Sequence, residues 1–346
     1  MFKNLTIFLI IFSTSLGFAQ DDFQSIVENQ TRPSVSNIRI KFSDSQNNQG
    51  HLPISIIKGK KEGPTFTIVA GVHGYEYPPI IATQEFLKEI DIDRLSGTLI
   101  VVPIANTGSF FSRTPLMNPQ DKVNLNGALP GKSNGSITYK IADYFKTKII
   151  PLSDVFLDIH GGGAAEDLMP FICYYRNKKR PEQTLKAKQL SETSGFEYVV
   201  SYAYTLKDDE PAKYVFKQAA QDGKIALSIE SGKLGNVQKD AVVLIKRGVY
   251  SMLNQMEMYN SDIEPLNSII KLNNQTYIRS NNKGIFYSKY KAGDTVKEGD
   301  IVGQITDEFG VVISEFKAPV SGIILYKIST PPINIDDTIM CISNRI

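Results

Sequence analysis

The chain has 346 residues, 38 Lys and Arg against 36 Asp and Glu, and 42% hydrophobic residues without a single Trp. A single hydrophobic core rarely grows past about 250 to 300 residues, so this length suits two domains. The formal charge is +2 and the basic residues are dispersed. No basic stripe exists to neutralise phosphates, and nucleic acid is excluded as an expected partner.

The first twenty residues combine Lys3, an apolar run from Leu5 to Phe12 and small residues leading to Gly17-Phe18-Ala19. This is the pattern of a cleavable signal peptide over 1–19, with the mature chain starting at Gln20 at a charge of +1. The run is shorter than the roughly 18 residues a membrane span needs, and Asp21-Asp22 follow at once. The expected product is periplasmic or secreted, without stable membrane insertion after cleavage. Cys173 and Cys341 are the only cysteines, 168 positions apart, so a disulfide framework is not expected to hold the fold.

From Ser36 onward, strand-like runs (Ile38 to Phe42, Leu52 to Lys58, Thr65 to Ala70) alternate with Gly and Asn turns. His51, among Asn and Gly residues, reads as a solvated loop residue without a role. Helical periodicity follows at Ile80 to Ile90 and Thr138 to Phe145, with apolar strands at Thr98 to Pro103 and Asp154 to Ile159. Further strands at Tyr198 to Ser201 and Ile225 to Ile229, with helices at Ala212 to Gln221 and Ala241 to Met258, extend the pattern. Alternating strands and helices predict an α/β domain, a mixed sheet flanked by helices, over residues 20–265. Tyr174-Tyr175 and Tyr202-x-Tyr204 read as packing before pocket lining.

Residues 266–346 are different in texture: short strands punctuated by Gly and Pro, with no helical period. Val296-x-x-Gly299-Asp300-x-Val302-x-x-Ile305 is echoed 37 residues later by Ile333-x-x-Asp336-Asp337-x-Ile339-x-x-Ile342. The doubled pattern resembles the barrel-sandwich hybrid fold of biotinyl and lipoyl domains. Those carriers attach their cofactor to a Lys at a hairpin tip. Here the tip reads Thr306-Asp307-Glu308-Phe309-Gly310, so the module is expected to shape or cover a site on its neighbour.

Two of the three His residues lie where strands end. Gly71-Val72-His73-Gly74-Tyr75-Glu76 follows one strand and precedes Pro78-Pro79, a helix start. His73 and Glu76, three apart, can converge on one ion, or can be two surface polar groups. Asp158-Ile159-His160-Gly161-Gly162-Gly163 ends a second strand. Asp158 and His160 share its face, and the glycines leave room for a close approach. Two His, one Glu and a position open to water make a catalytic zinc site; structural sites ordinarily show Cys. The His-Glu-x-x-His motif is absent, and Tyr77 breaks the inverted form.

Asn124-Leu125-Asn126-Gly127-Ala128-Leu129-Pro130-Gly131 and Ser228-Ile229-Glu230-Ser231-Gly232 follow in order. With these, the chain from about Thr67 to its C terminus resembles the succinylglutamate desuccinylase/aspartoacylase family, relatives of the zinc carboxypeptidases. The resemblance implies a zinc-carboxypeptidase-like fold with one Zn2+ per chain on His73, Glu76 and His160. It makes Glu230 the general base acting on water, Arg113 the cation that stabilises the oxyanion, and Asn126 a substrate contact. Asp158 orients His160 or is a strand-end acid.

Gly127 departs from the family, whose residue after the matching Asn is an Arg that clamps the substrate carboxylate. Arg176 or Lys132 replaces it, or the substrate lacks that group. Arg176 itself belongs to the basic run Arg176-Asn177-Lys178-Lys179-Arg180, which otherwise reads as a solvated turn. The expected activity is an exported zinc-dependent amidohydrolase deacylating N-acyl amino acids or similar small substrates. The alternatives are a metallocarboxypeptidase on small or cell-wall peptides, and a non-catalytic binding protein of the same fold.

Overall fold

A computed structural model describes residues 23–263, 266 and 268–346. The expected signal peptide and the expected boundary at Glu264–Pro265 lie outside the described residues. Helix α1 (Phe23–Asn29) leads to the hairpin β1 (Ser34–Ser43) and β2 (Gln49–Lys58). There follow β3 (Lys61–Ala70), α2 (Tyr77–Glu89), β4 (Ser96–Val102), α3 (Thr107–Ser112), the short pair β5 (Met117–Asn118) and β6 (Val123–Asn124), and α4 (Ile137–Tyr144). Next come β7 (Val155–His160), β8 (Glu166–Leu168), β9 (Phe171–Arg176), α5 (Pro181–Thr193), β10 (Tyr198–Ala203), α6 (Val215–Gln221), β11 (Ile225–Glu230) and α7 (Lys239–Gln255). The C-terminal region is all strand: β12 (Ile270–Arg279), β13 (Gly284–Tyr287), β14 (Thr295–Val296), β15 (Ile301–Thr306), β16 (Val312–Lys317), β17 (Gly322–Ile328), β18 (Pro332–Ile333) and β19 (Thr338–Arg345).

The large sheet runs in the order β1-β2-β4-β3-β7-β11-β9-β10-β12-β19-β17-β14. At its centre β4, β3, β7 and β11 are parallel. Strands buried on both faces read as near-continuous apolar runs, and Val155–His160 is buried at every position. Along β7 the residues alternate sides: Val155, Leu157 and Ile159 pack in one core cluster with α2, α5 and α7, and Phe156 in the other with α1, α4 and α6. By that alternation Asp158 and His160 face the second side.

Strand β9 reverses the pattern, antiparallel to β11 yet parallel to β10. The sheet also continues past the expected domain boundary, because β10 pairs in parallel with β12. A second link joins β8 to β17. The two regions of the sequence therefore share one hydrogen-bonded sheet, although the C-terminal strands keep their own core.

The repeat in that region is structural. Val296, Val302 and Ile305, and their counterparts Ile333, Ile339 and Ile342, are all buried in one cluster. Gly299 and Asp336 both have positive φ, 88° and 68°. Gly299 donates to the Ala318 carbonyl and Ala318 to that of Asp300, and Asp336 and Ser280 repeat the exchange with Asp337. Each turn is closed alike, by Asp300 accepting from Lys297 N and Asp337 from Asn334 N.

His51 corrects the sequence reading. It lies within β2 opposite Lys41, partly buried, and its carbonyl accepts from Thr107 Oγ1 at 2.9 Å. Strand β2 already begins at Gln49, before the Asn and Gly residues give out, so His51 is a strand residue. Both cysteines are buried free thiols. Tyr174 is buried in the core, and Tyr175 stacks on Phe216 with centroids 4.8 Å apart.

Candidate metal centre and its surroundings

Parallel strands end on the same side, and ligand sites of open α/β sheets collect there. The C-terminal ends of β3, β7 and β11 carry His73 and Glu76, His160, and Glu230 respectively. The turn after β3 is tight because Gly74 packs against the segment after α3, donating from its N to the Pro115 carbonyl at 3.0 Å. A Cβ there would lie 2.3 Å from the Thr114 carbonyl oxygen, so only glycine fits. Glu76 occupies the N-cap of α2 but makes no capping bond with its side chain, which frees the carboxylate for the site.

That carboxylate bridges both imidazoles. His73 Nδ1 is 2.5 Å from Glu76 Oε1, and His160 Nδ1 is 2.9 Å from Glu76 Oε2. One ligand atom from each of the three residues lies within 4.8 Å of the others. Both rings turn the same nitrogen inward, and Glu76 and His160 are buried. Asp158, fully buried, puts Oδ2 3.1 Å from His160 Nε2, an ion-pair contact, and neither of its oxygens has a hydrogen-bond partner among the described residues. It thereby favours the proton on Nε2 and leaves Nδ1 free to donate a lone pair.

The electrostatics favour a positive charge at the centre. Burial pushes the Glu76 carboxyl up, but the charges and hydrogen bonds of His73 and His160 outweigh it and hold it at about 2. Burial pulls the His160 imidazole down, yet Asp158 and Glu76 raise it well above its usual value. The same field would act on a bound cation. Two imidazole nitrogens and one carboxylate, with an acid behind one ring, fit a divalent metal of the zinc type.

Glu230 stands opposite His160 in the β11–β7 register, one strand spacing of about 4.8 Å away at the backbone. Burial raises its carboxyl to about 8; His160 opposes this, while Glu76, Glu166 and Asp158 reinforce it. The fold thus prefers this carboxyl protonated. Metal-free protein accordingly gives up stability as pH climbs from about 4.5 through about 8. In metal-free protein, Glu230→Gln should match the wild-type urea midpoint near pH 5 relative to a common offset and exceed that offset near pH 8. A midpoint difference independent of pH contradicts this electrostatic picture.

The remaining expected residues divide. Arg113 is the left-handed C-cap of α3, exposed, two residues before the Pro115 carbonyl that anchors Gly74, so its backbone lies near the His73 turn, and no described contact joins its guanidinium to the triad. Asn126 lies in the loop after β6, partly buried, its Oδ1 enclosed without a donor; no described contact joins it to the triad. Lys132 is exposed, over the Tyr139 ring.

Arg176 is a correction. Because β9 is antiparallel to β11, Phe171 is the residue opposite Glu230, and Arg176 lies at the other end of the strand. Five residues at about 3.3 Å separate them by roughly 17 Å, so Arg176 is not the clamp. Gly127 is exposed, and a Cβ there meets only the Asn124 carbonyl oxygen at 3.4 Å.

Sequence reasoning missed Glu166. It opens β8 just beyond the glycines, and Gly163 N donates to its Oε2 at 2.9 Å. Its carboxyl is raised by burial, and the strongest charges acting on it are those of Glu76, His73 and His160. The signal was an acid placed soon after His160 in a turn, which sequence alone cannot tell from a surface residue.

Comparison with known proteins bears on the family and the fold. The family model of the succinylglutamate desuccinylase/aspartoacylase catalytic domain matches residues 62–256. An N-alpha-acetyl-L-2,4-diaminobutyric acid deacetylase of Halomonas elongata is 29% identical over 304 residues, 85% of this chain and 86% of that protein. The product-bound ectoine utilization protein EutE of Ruegeria pomeroyi superposes with a TM-score of 0.81 at 22% identity, covering 91% of this chain and 96% of that one. A succinylglutamate desuccinylase from a Silicibacter species gives 0.80 at 24% identity, covering 90% and 95%. These two structures establish the fold, including the C-terminal all-β region.

Proposed function

The chain belongs to the succinylglutamate desuccinylase/aspartoacylase family, and from that premise we propose that it is an exported, zinc-dependent hydrolase that deacylates N-acyl amino acids. The observation that carries the reading is the convergence of His73, Glu76 and His160 with Glu230 beside them. A zinc ion held by those three ligands would supply Lewis acidity, lowering the pKa of a water toward 7 and polarising the acyl carbonyl.

The chain's own residues supply the rest. Glu230 is not among the three gathered ligands and stands next to His160. It takes a proton from the attacking water and passes it to the departing amine, the role of a positioned carboxylate. Arg113 offers a cation to the oxygen on which negative charge grows. Asp158 holds the His160 ring in the tautomer a ligand requires.

The Halomonas relative is named for an acetylated diamino acid, and that class suits the site better than N-acyl-glutamate or N-acyl-aspartate. Gly127 carries no guanidinium for a second carboxylate, and Arg176 is too remote to replace it. Export rests on residues 1–19 of the sequence. Among the described residues no helix is long and apolar enough to cross a membrane.

The test is acetate release from Nα-acetyl-L-amino acids by the purified protein. Release that a chelator abolishes and zinc restores is the expected result. Liberation of C-terminal amino acids from N-blocked dipeptides without acetate release would replace this reading with a metallocarboxypeptidase. Zinc binding without turnover of either class would favour a binding protein.

A further inference from the structure

We infer that Ser228 is a positioning residue for the metal centre, its hydroxyl holding the Asp158 carboxyl and, through it, the His160 ring in the orientation a ligand needs. The inference rests on the metal site proposed above and extends it by one residue.

The centre of the sheet builds the site in rungs. The uppermost sets His160 of β7 beside Glu230 of β11 and Phe171 of β9. One rung lower, Asp158 stands opposite Ser228 on one side and Val69 of β3 on the other, and Ser228 stands opposite Cys173. All four are buried, Asp158, Ser228 and Val69 completely. They share one face, because Val69 and Cys173 pack in the same core cluster as Phe156 and Ala226, which form the rung below, and side chains alternate along each strand.

Within that apolar surround two polar side chains lie side by side. Ser228 Oγ is buried without a hydrogen-bond partner among the described residues, and so are both Asp158 oxygens, of which Oδ2 has the 3.1 Å contact with His160 Nε2. A lone buried hydroxyl costs stability unless it is bonded, and an alanine would fill the same place in the strand without that cost. The hydroxyl therefore has a partner to serve.

Position decides which one. Asp158 is one strand spacing away, about 4.8 Å, whereas Glu230 on the same face lies two residues along β11, about 6.6 Å. Val69 offers nothing polar, and Cys173 offers a buried thiol, a weak acceptor. A turn of Ser228 about χ1 from one staggered well to another brings its O–H to Asp158.

The bond has a use beyond filling a valence. The χ2 torsion of an aspartate has no sharp well of its own, so a single contact at Oδ2 leaves the carboxyl plane free to pivot. A donor at Oδ1 fixes the plane from its other end, and the His160 ring with it. Groups that orient a metal-bound imidazole in this way contribute about 10- to 100-fold to metal affinity.

Two measurements on wild type, Ser228→Ala, Asp158→Ala and the double variant test this: zinc affinity by chelator competition, and urea unfolding of the metal-free proteins. Ser228→Ala should bind zinc about tenfold more weakly, the lower end for an orienting group, and should unfold at lower urea. Beside Asp158→Ala the same substitution should change zinc affinity by less than about twofold, since the two side chains act as a unit. Should Asp158→Ala fail to fold, the isosteric pair Ser228→Thr and Ser228→Val carries the test. The threonine keeps the hydroxyl and should stay within about threefold of wild type, while the valine should lose about tenfold. Wild-type zinc affinity in Ser228→Ala, an equal loss in both backgrounds, or equal affinity in the threonine and valine variants overturns the inference. A wild type that takes up no zinc would refute the metal reading instead. A urea loss in Ser228→Ala that vanishes beside Asp158→Ala would then still support the bond between the two residues, and additive losses would overturn it.

Discussion

Glu230→Gln is expected to lower kcat on an Nα-acetyl amino acid by about a thousandfold and to leave bound zinc at the wild-type level. A positioned general base contributes about 10²- to 10⁴-fold, and glutamine keeps the shape while losing the ability to accept the proton. Metal retention follows because Glu230 is not one of the three ligand residues that converge. Its place is set by the β11 backbone opposite His160, which the substitution does not disturb. Steady-state kinetics beside metal analysis of the same sample checks both halves. A kcat within tenfold of wild type would remove Glu230 from the proton-transfer role.

His160→Ala has the larger effect, because the ring serves two neighbours at once. It faces Glu76 with Nδ1 and Asp158 with Nε2, so its removal costs both the metal and the counter-charge of a fully buried acid. Breaking a buried pair from one side costs about 3 to 5 kcal/mol. The expected variant binds no zinc, shows no hydrolysis and unfolds at lower urea. Adding Asp158→Asn removes the stranded charge, so the double variant should regain much of the stability and none of the zinc. Urea unfolding and metal content of the two variants separate these effects. Full stability in His160→Ala would show that Asp158 does not depend on the ring.

The convergence of His73, Glu76 and His160 was legible because each pair lies on a segment whose local pattern is strong. The apolar run Phe66 to Ala70 and the Pro78-Pro79 start fix a strand-to-helix turn at His73 and Glu76, and the structure places it there. The doubled Val and Ile pattern of the C-terminal region was legible for a similar reason, since both copies fill one core.

Strand direction was not legible. A buried run such as Phe171 to Tyr174 has the same pattern read either way, and only pairing with β11 reveals that Arg176 lies at the end of β9 remote from the site. Helix α5 escaped because it buries little, Ala187, Leu190 and Ser191 alone among its 13 residues. Glu166 escaped because its environment is made by residues 234 and 328, far apart in sequence. Sheet continuity through β10 and β12 likewise depends on a pairing between regions whose compositions differ.

The most direct test of the account is the zinc content of the mature protein from Gln20, measured beside His73→Ala after both are exposed to zinc and desalted. The account predicts about one zinc per chain in the wild type, the count of a three-ligand catalytic centre, and its loss in the variant. No zinc in the wild type, or equal zinc in both, would contradict it.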